Sequence, residues 1–263
     1  GVNPETGNAI AIDETNDLVY ITGNHFDNIT YHNATNNLSL SCPGSSISLN
    51  AGPQKGYVAQ FDAISGCIYF LEAIDEGNFT DSRDITINEN SGEIFVGGMY
   101  ASTFGGMNGT GSNGLFIHKY APTTSGGIAN SLGVPVWIST GNELASRVND
   151  MDYDELNNIL WFTGEHNQEL FLTSGSFVTT TNNVPREAYF GALSDAGATV
   201  NTVANLFRSL NSPANSNGSV GLGIAVDDVS GYPYLTGTYY SEDITDPYRM
   251  VSDGFTTDML PGS

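Results

Sequence analysis

The chain has 263 residues, with 31 glycines, 10 prolines and 29 acidic against 7 basic side chains, so its formal net charge is −22. A surface this acidic repels phosphate groups, which excludes nucleic acid as a partner. No apolar run reaches the ~18 residues of a membrane helix. The first residues, GVNPETGN, have neither the basic start nor the apolar run of a signal peptide.

Four segments with one pattern predict β-hairpins along the chain. Their sequences are AIAIDETNDLVYITG (9–23), DITINENSGEIFVGG (84–98), DMDYDELNNILWFTG (150–164) and GIAVDDVSGYPYLTG (223–237). Apolar residues alternate with small or polar ones in the first half of each segment, as in a strand with one buried face. An aromatic residue recurs in the second strand, where we expect it to pack between units. These aromatic residues are Tyr20, Phe95, Trp161 and Tyr234.

The middle of each segment has the residue types of a tight turn. A short acid or amide comes first, which can accept hydrogen bonds from turn amides. These residues are Asp13, Asn88, Asp154 and Asp227. A residue that tolerates positive φ follows. These are Asp17, Gly92, Asn158 and Gly231, and the segments end on Gly23, Gly98, Gly164 and Gly237. Pro233 cannot donate a backbone hydrogen bond, so we expect an unpaired edge or a bulge there.

A second type of hairpin is predicted between the first ones. It comprises residues 56–70, residues 114–126 with 134–139, and residues 187–200, in which Tyr57, Phe116 and Tyr189 align. Two hairpins per period give four strands, which is the blade of a β-propeller. We therefore predict an all-β, propeller-like domain of four-stranded antiparallel blades. Its units are blade 1 at 1–81, blade 2 at 82–145, blade 3 at 146–217 and a partial blade 4 at 218–263.

The predicted unit count is about three and a half, and propellers close with roughly four to eight blades. We therefore expect this chain to be part of a larger propeller or of an assembly with other chains.

The motifs AIAID…VYITG with YVAQFDAISG, and GIAVD…YLTG, resemble SBBP-type β-propeller repeats. The resemblance covers nearly all of residues 7–237 apart from the loops. It implies a propeller fold and an extracellular or cell-surface location. It implies no catalytic residue, because the family shares a scaffold and not a reactive motif.

Six Asn-x-Ser/Thr sequons lie outside the aligned strands and predict N-linked glycans. They are Asn28, Asn33, Asn37, Asn78, Asn108 and Asn217. Cys42 and Cys67 are the two cysteines of the chain. We predict a disulfide between them, since a loop of roughly 25 residues would be stabilised by roughly 3 kcal/mol. The alternative is a pair of unbonded, buried thiols.

Asp150, Asp152 and Asp154 resemble the start of a calcium loop, although the required glycine and distal glutamate are missing. Calcium is therefore an alternative, and we favour a solvent-facing or channel-facing strand with no metal site. Arg83 and Arg147 are expected to pair with the acidic residues Asp75, Glu76, Asp81 and Asp84. His25 and His166 each lie two residues beyond a repeat glycine, and we expect equivalent positions at loop ends.

These patterns favour a non-enzymatic extracellular structural glycoprotein with no cofactor. It would be a subunit or segment of a surface coat, fibre or appendage, such as a flagellar-hair-like filament, and its partners would be other copies or segments of the same protein. One alternative is a glycan-binding or protein-binding propeller that uses Tyr239, Tyr240 and Tyr248. A glycoside-active enzyme is the other alternative, because carboxylates are abundant.

Overall fold

The computed structural model describes residues 5–31, 47–50, 52–74, 79–101, 114–120, 135–138, 146–166, 170–172, 175–178, 187–194, 199–208, 219–239, 249–252 and 255–258. Every regular element in these ranges is a β-strand, which confirms the predicted all-β class. Within the same ranges, no helix of a length and apolarity suited to crossing a membrane is present.

The strands alternate with turns along the described chain. They are β1 Thr6–Asp13, β2 Leu18–His25, β3 Ile29–Tyr31, β4 Ile47–Leu49, β5 Lys55–Asp62, β6 Ile68–Ile74, β7 Phe79–Asn88, β8 Glu93–Ala101, β9 Gly114–Tyr120, β10 Pro135–Ile138, β11 Arg147–Asp154, β12 Ile159–His166, β13 Leu170–Leu172, β14 Gly175–Val178, β15 Glu187–Ser194, β16 Thr199–Arg208, β17 Ser219–Val226, β18 Pro233–Tyr239, β19 Arg249–Ser252 and β20 Phe255–Asp258. The predicted hairpins of both types fall on pairs of these strands.

The first three periods each form an antiparallel sheet in which the two hairpin types lie side by side. The orders are β1-β2-β5-β6, β7-β8-β9-β10 and β11-β12-β15-β16. The register aligns the units as expected, because the repeat glycines Gly23, Gly98 and Gly164 lie opposite Tyr57, Phe116 and Tyr189. Each of the first three periods therefore has the predicted four strands.

The C-terminal region is paired differently from the predicted fourth unit at 218–263. β17 pairs with β18 alone, whereas β19 and β20 extend the third sheet beyond β16. Pro233 lies in β18, whose second edge has no partner strand among the described residues, as a missing N–H donor requires.

The turns of the four repeated hairpins have the predicted chemistry. The backbone φ is positive at Asp17 (55°), Gly92 (72°), Asn158 (55°) and Gly231 (69°). In each hairpin, a side-chain oxygen of the preceding acid or amide accepts hydrogen bonds from the turn amides. The acceptors are Asp13, Asn88, Asp154 and Asp227.

A β-bulge recurs at one position in all four hairpins. The register shifts between Gly7 and Ala9, Ser82 and Asp84, Val148 and Asp150, and Gly221 and Gly223. The closing glycine of each hairpin lies opposite this bulge. A Cβ there would collide with a backbone carbonyl of the neighbouring strand, from Thr6, Asp81, Arg147 or Val220. The four glycines therefore have equivalent surroundings, as the repeat predicts.

Each later sheet packs its first strand on the preceding sheet. β7 contacts β1, β2 and β5; β11 contacts β7, β8 and β9; β17 contacts β11, β12 and β15. Ile85 and Ile87 of β7 share an apolar cluster with Tyr20 of the first sheet. Phe95 of the second sheet stacks on Tyr153 of the third, with ring centroids 5.6 Å apart. The core is therefore a series of layers between sheets.

Candidate functional site: the polar seam between first strands

Carboxylates on the first strand of one sheet accept hydrogen bonds from the backbone of the first strand of the next. Asp84 Oδ2 accepts from the N–H of Met151 at 2.6 Å. Asp150, at the equivalent position one repeat later, accepts through Oδ2 from the N–H of Ile224 at 2.6 Å. Asp152 Oδ2 accepts from the N–H of Val226 at 2.7 Å. We call this set, together with the amides described next, the polar seam.

Asparagines at the bulge complete the polar seam. Asn8 donates through Nδ2 to the carbonyl of Ser82, and Asn149 donates through Nδ2 to the carbonyl of Gly221 at 2.8 Å. Arg83 occupies the same bulge position in the second sheet, and its Nη1 donates to Asn149 Oδ1 at 3.4 Å. The bulge points one side chain out of the strand pairing of its own sheet, toward the next sheet.

Hydroxyl groups make a second link at the start of the second sheet and of the β17–β18 hairpin. Thr80 Oγ1 accepts from the N–H of Gly56 at 2.7 Å, and Ser219 Oγ accepts from the N–H of Ala188 at 2.9 Å. Thr80 and Ser219 lie three residues before the bulge residues of their hairpins, Arg83 and Leu222. At these two junctions, polar contacts therefore join neighbouring sheets at two levels.

Burial raises the pKa of each of these carboxylates. Removal from water, followed by the neighbouring Asp150 carboxylate, raises the pKa of Asp84 well above its ordinary value. Burial also raises the pKa of Asp150 and of Asp152, while the backbone N–H donors of β17 oppose the shift. The protonated form of Asp84 keeps one oxygen that can accept the N–H of Met151.

Asp150 and Asp152 are partly buried, and each accepts a hydrogen bond from the backbone of β17. Asp154 accepts from the backbone N–H of Leu156 and of Asn157 in its own turn. No group of three or more potential metal-ligating side chains occurs among the described residues. The proposed calcium ligands are engaged in hydrogen bonds to backbone amides.

The two arginines have different partners. Arg83 pairs with Asp81, with Nη2 and Oδ2 2.9 Å apart, as expected. Arg147 pairs with Glu165 of the adjacent strand, which the expected acidic set did not include. Because Glu165 follows the repeat glycine of β12, strand pairing and not proximity in sequence brings it to Arg147.

His25 and His166 occupy equivalent positions, as expected, but both are buried at strand ends and not open at loop mouths. Their rings meet Tyr57 and Tyr189 edge-on, at centroid distances of 6.4 and 6.0 Å. These tyrosines align in the second hairpin type, so the contact is a repeated packing feature.

The remaining predicted sites fall largely outside the described residues. Asn28 is exposed between β2 and β3, in a position open to a glycan. The other sequons, at Asn33, Asn37, Asn78, Asn108 and Asn217, lie outside the described residues, as do Tyr240, Tyr248, Asp75 and Glu76. Cys67 is buried and disulfide-bonded. Cys42 lies outside the described residues, so the predicted pairing of the two stays a prediction.

Sequence reasoning missed the linking role of Asp84, Thr80 and Ser219. One signal was present, because Asp84 and Asp150 stand at the same distance from their repeat glycines. Comparison of the chain with protein-family models finds no match, and no curated protein is significantly similar to it in sequence.

Proposed function

We propose that this chain is a non-enzymatic structural protein of the cell exterior, a subunit or segment of a surface coat, fibre or appendage. The observation that carries the proposal is the polar seam. Its buried and partly buried carboxylates, which would be candidate acids or bases in an enzyme, accept hydrogen bonds from the backbone of the next sheet. Hydrogen bonds of this kind suit a structural protein in which successive sheets pack on one another.

The proposed architecture is a propeller-like series of SBBP-type blades. Three observations support it: four-stranded antiparallel units, first strands that lie next to one another, and a bulge and glycine repeated at equivalent positions. In a propeller the innermost strands of successive blades are neighbours around the axis, and contacts between the first strands of successive sheets are compatible with that arrangement.

The proposed location outside the cell rests on three features. The acidic, lysine-poor composition suits a secreted surface. Cys67 is disulfide-bonded, and disulfides persist in oxidising compartments. Asn28 belongs to an exposed sequon. Expression through a eukaryotic secretory pathway should give a protein whose electrophoretic mobility increases after N-glycan removal. An unchanged mobility would contradict the glycoprotein part of the proposal alone.

The structural role predicts assembly of the purified chain. Sedimentation velocity over a concentration series, with negative-stain electron microscopy of the same samples, should detect elongated oligomers. A monomer at every concentration would contradict this role. Glycan-array binding by that monomer would favour the alternative, a ligand-binding module.

A further inference from the structure

The first sheet exposes apolar side chains at positions that are buried in the next sheet. Ile10 and Ile12 of β1 are 61% and 51% exposed. The equivalent residues of β7, Ile85 and Ile87, are 4% and 8% exposed because they pack on the first sheet. We call Ile10 and Ile12 the head face. It has the side chains for packing on a preceding sheet, and none of the described strands covers it.

The β17–β18 hairpin exposes the opposite kind of surface. Tyr234 of β18 is 63% exposed, whereas its equivalent in the first sheet, Tyr20, is 2% exposed beneath β7. Leu222 and Ala225 of β17 are exposed beside it. We call Leu222, Ala225 and Tyr234 the tail face. It has the side chains for receiving a following sheet.

The tail face matches the chemistry of one interface inside the molecule. β17 has Gly223 and Ala225 where β1 has Ala9 and Ala11. The second and third sheets instead have carboxylates at the first of these positions, Asp84 and Asp150. The tail face therefore lacks a carboxylate acceptor and resembles the apolar surface of the first sheet, on which Ile85 and Ile87 pack.

We propose that the head face of one copy of this chain docks on the tail face of a second copy. Ile10 and Ile12 would then pack on Ala225 and Tyr234, as Ile85 and Ile87 pack on Ala11 and Tyr20. A second copy is the occupant because one chain has both complementary surfaces. Both are exposed in the same molecule, so among the described residues they do not cover each other.

Such a contact is heterologous, so it adds copies in one direction and forms a ring or an open filament. The two copies would pack through the faces of their sheets, with no strand pairing between sheet edges. The inference rests on the assembly part of the proposed function and specifies its surface.

Mixed single-cysteine variants test the contact directly. Ile12→Cys and Ala225→Cys are purified separately, mixed, and treated with a short bismaleimide. The disulfide-bonded Cys67 does not react with maleimide. We expect a covalent dimer in the mixture that is absent when Ile64→Cys, in the exposed β5–β6 turn, replaces either partner. Dimers that form equally with Ile64→Cys would overturn the proposal.

A noncovalent test separates this inference from the proposed function. Ile12→Asp and Ile64→Asp add the same charge at exposed positions, and we expect loss of oligomers in sedimentation velocity for Ile12→Asp alone. If the unmodified chain assembles and both variants assemble equally, the head-to-tail contact is wrong and the structural role stands. If the unmodified chain never assembles, both are wrong. The cysteine mixture decides the matter should Ile12→Asp not fold.

Discussion

Gly23, Gly98 and Gly164 each face the backbone carbonyl of an opposing strand at the same bulge. The carbonyl occupies the space that a Cβ would need, so no side chain fits without separating two paired strands. The bulge in turn directs Asn8, Arg83 or Asn149 toward the next sheet. The glycine in the second strand of the hairpin therefore helps to position a polar side chain in the first strand.

Gly164→Ala should lower the free energy of unfolding by about 1–3 kcal/mol, the usual cost of overpacking. Its new methyl group would collide with the carbonyl of Arg147 and approach the Tyr189 hydroxyl. Chemical denaturation monitored by fluorescence measures the difference. Gly52→Ala is the matched control, because no atom lies within 4 Å of its added Cβ. Equal stability of the two variants would contradict the close approach.

Asp84 should make the folded state less stable as pH rises. Its pKa is raised well above 3.8 in the folded chain, so the folded state retains a proton that the unfolded state releases. The unfolding free energy should therefore fall with increasing pH above about 3.8, by at most about 1.4 kcal/mol per pH unit from this group. Asp84→Asn keeps an acceptor for Met151 and should show a flatter profile in denaturation series from pH 4 to 8.

The pKa values of His118 and Asp227 also differ from their ordinary values, and both bear on the comparison of the native chain with Asp84→Asn. Burial lowers the pKa of His118 to about 4, so its contribution to stability is lost as pH falls from 6.5 toward 4, in both proteins alike. Asp227→Asn is the control, because turn amides lower the pKa of Asp227 and its effect lies below 3.8. Parallel profiles for the native chain and Asp84→Asn would show that Asp84 does not titrate as inferred.

At the scale of strands and turns, the four repeated hairpins solve one geometric problem with different residues. The turn needs a residue with positive φ before the second strand, and glycine, aspartate and asparagine all occupy that position. The side chain that caps the turn is likewise an aspartate or an asparagine. The hairpin therefore tolerates exchange within a small set of residue types.

Gly92→Ala should destabilise the second hairpin by about 1–2 kcal/mol, because a Cβ is unfavourable at φ 72°. Gly92→Asn should cost less, since Asn158 occupies the equivalent position at φ 55°. Thermal unfolding of the two variants beside the native chain measures the order. A larger loss for the asparagine variant would contradict the equivalence of the turns.

At the scale of the whole molecule, charge opposes both compaction and association. The chain has a net charge of −22. Attraction within the few ion pairs of the described residues, such as Arg83–Asp81 and Lys119–Glu93, does not offset the repulsion among so many carboxylates. Apolar packing between sheets must therefore supply the favourable free energy. The uncovered head and tail faces extend the same packing beyond one chain.

Salt should therefore raise both the thermal midpoint and the oligomer fraction. An increase in ionic strength from 0.01 to 0.15 M shortens the screening length from about 30 to about 8 Å. Repulsion between carboxylates then weakens, while apolar contacts are little affected. Scanning calorimetry and sedimentation velocity in sodium chloride measure the two quantities. A midpoint that falls with added salt would mean that ion pairs outweigh repulsion.

The sequence alone determined the local features of this protein. Period-two alternation predicted the strands, and turn chemistry predicted both the caps and the positive φ at Asp17, Gly92, Asn158 and Gly231. The repeat spacing predicted which residues are equivalent. These features are predictable because each depends on residues a few positions apart, whose backbone preferences act in every context.

The tertiary structure decided the contacts between sheets. It joins Asp84 to Met151 and Asp150 to Ile224, pairs Arg147 with Glu165, and places β19 and β20 on the third sheet. It also leaves Ile10 and Tyr234 exposed while burying their equivalents Ile85 and Tyr20. Local sequence patterns do not determine such contacts. The partners are far apart in sequence, and they meet only when two sheets pack together with particular faces in contact.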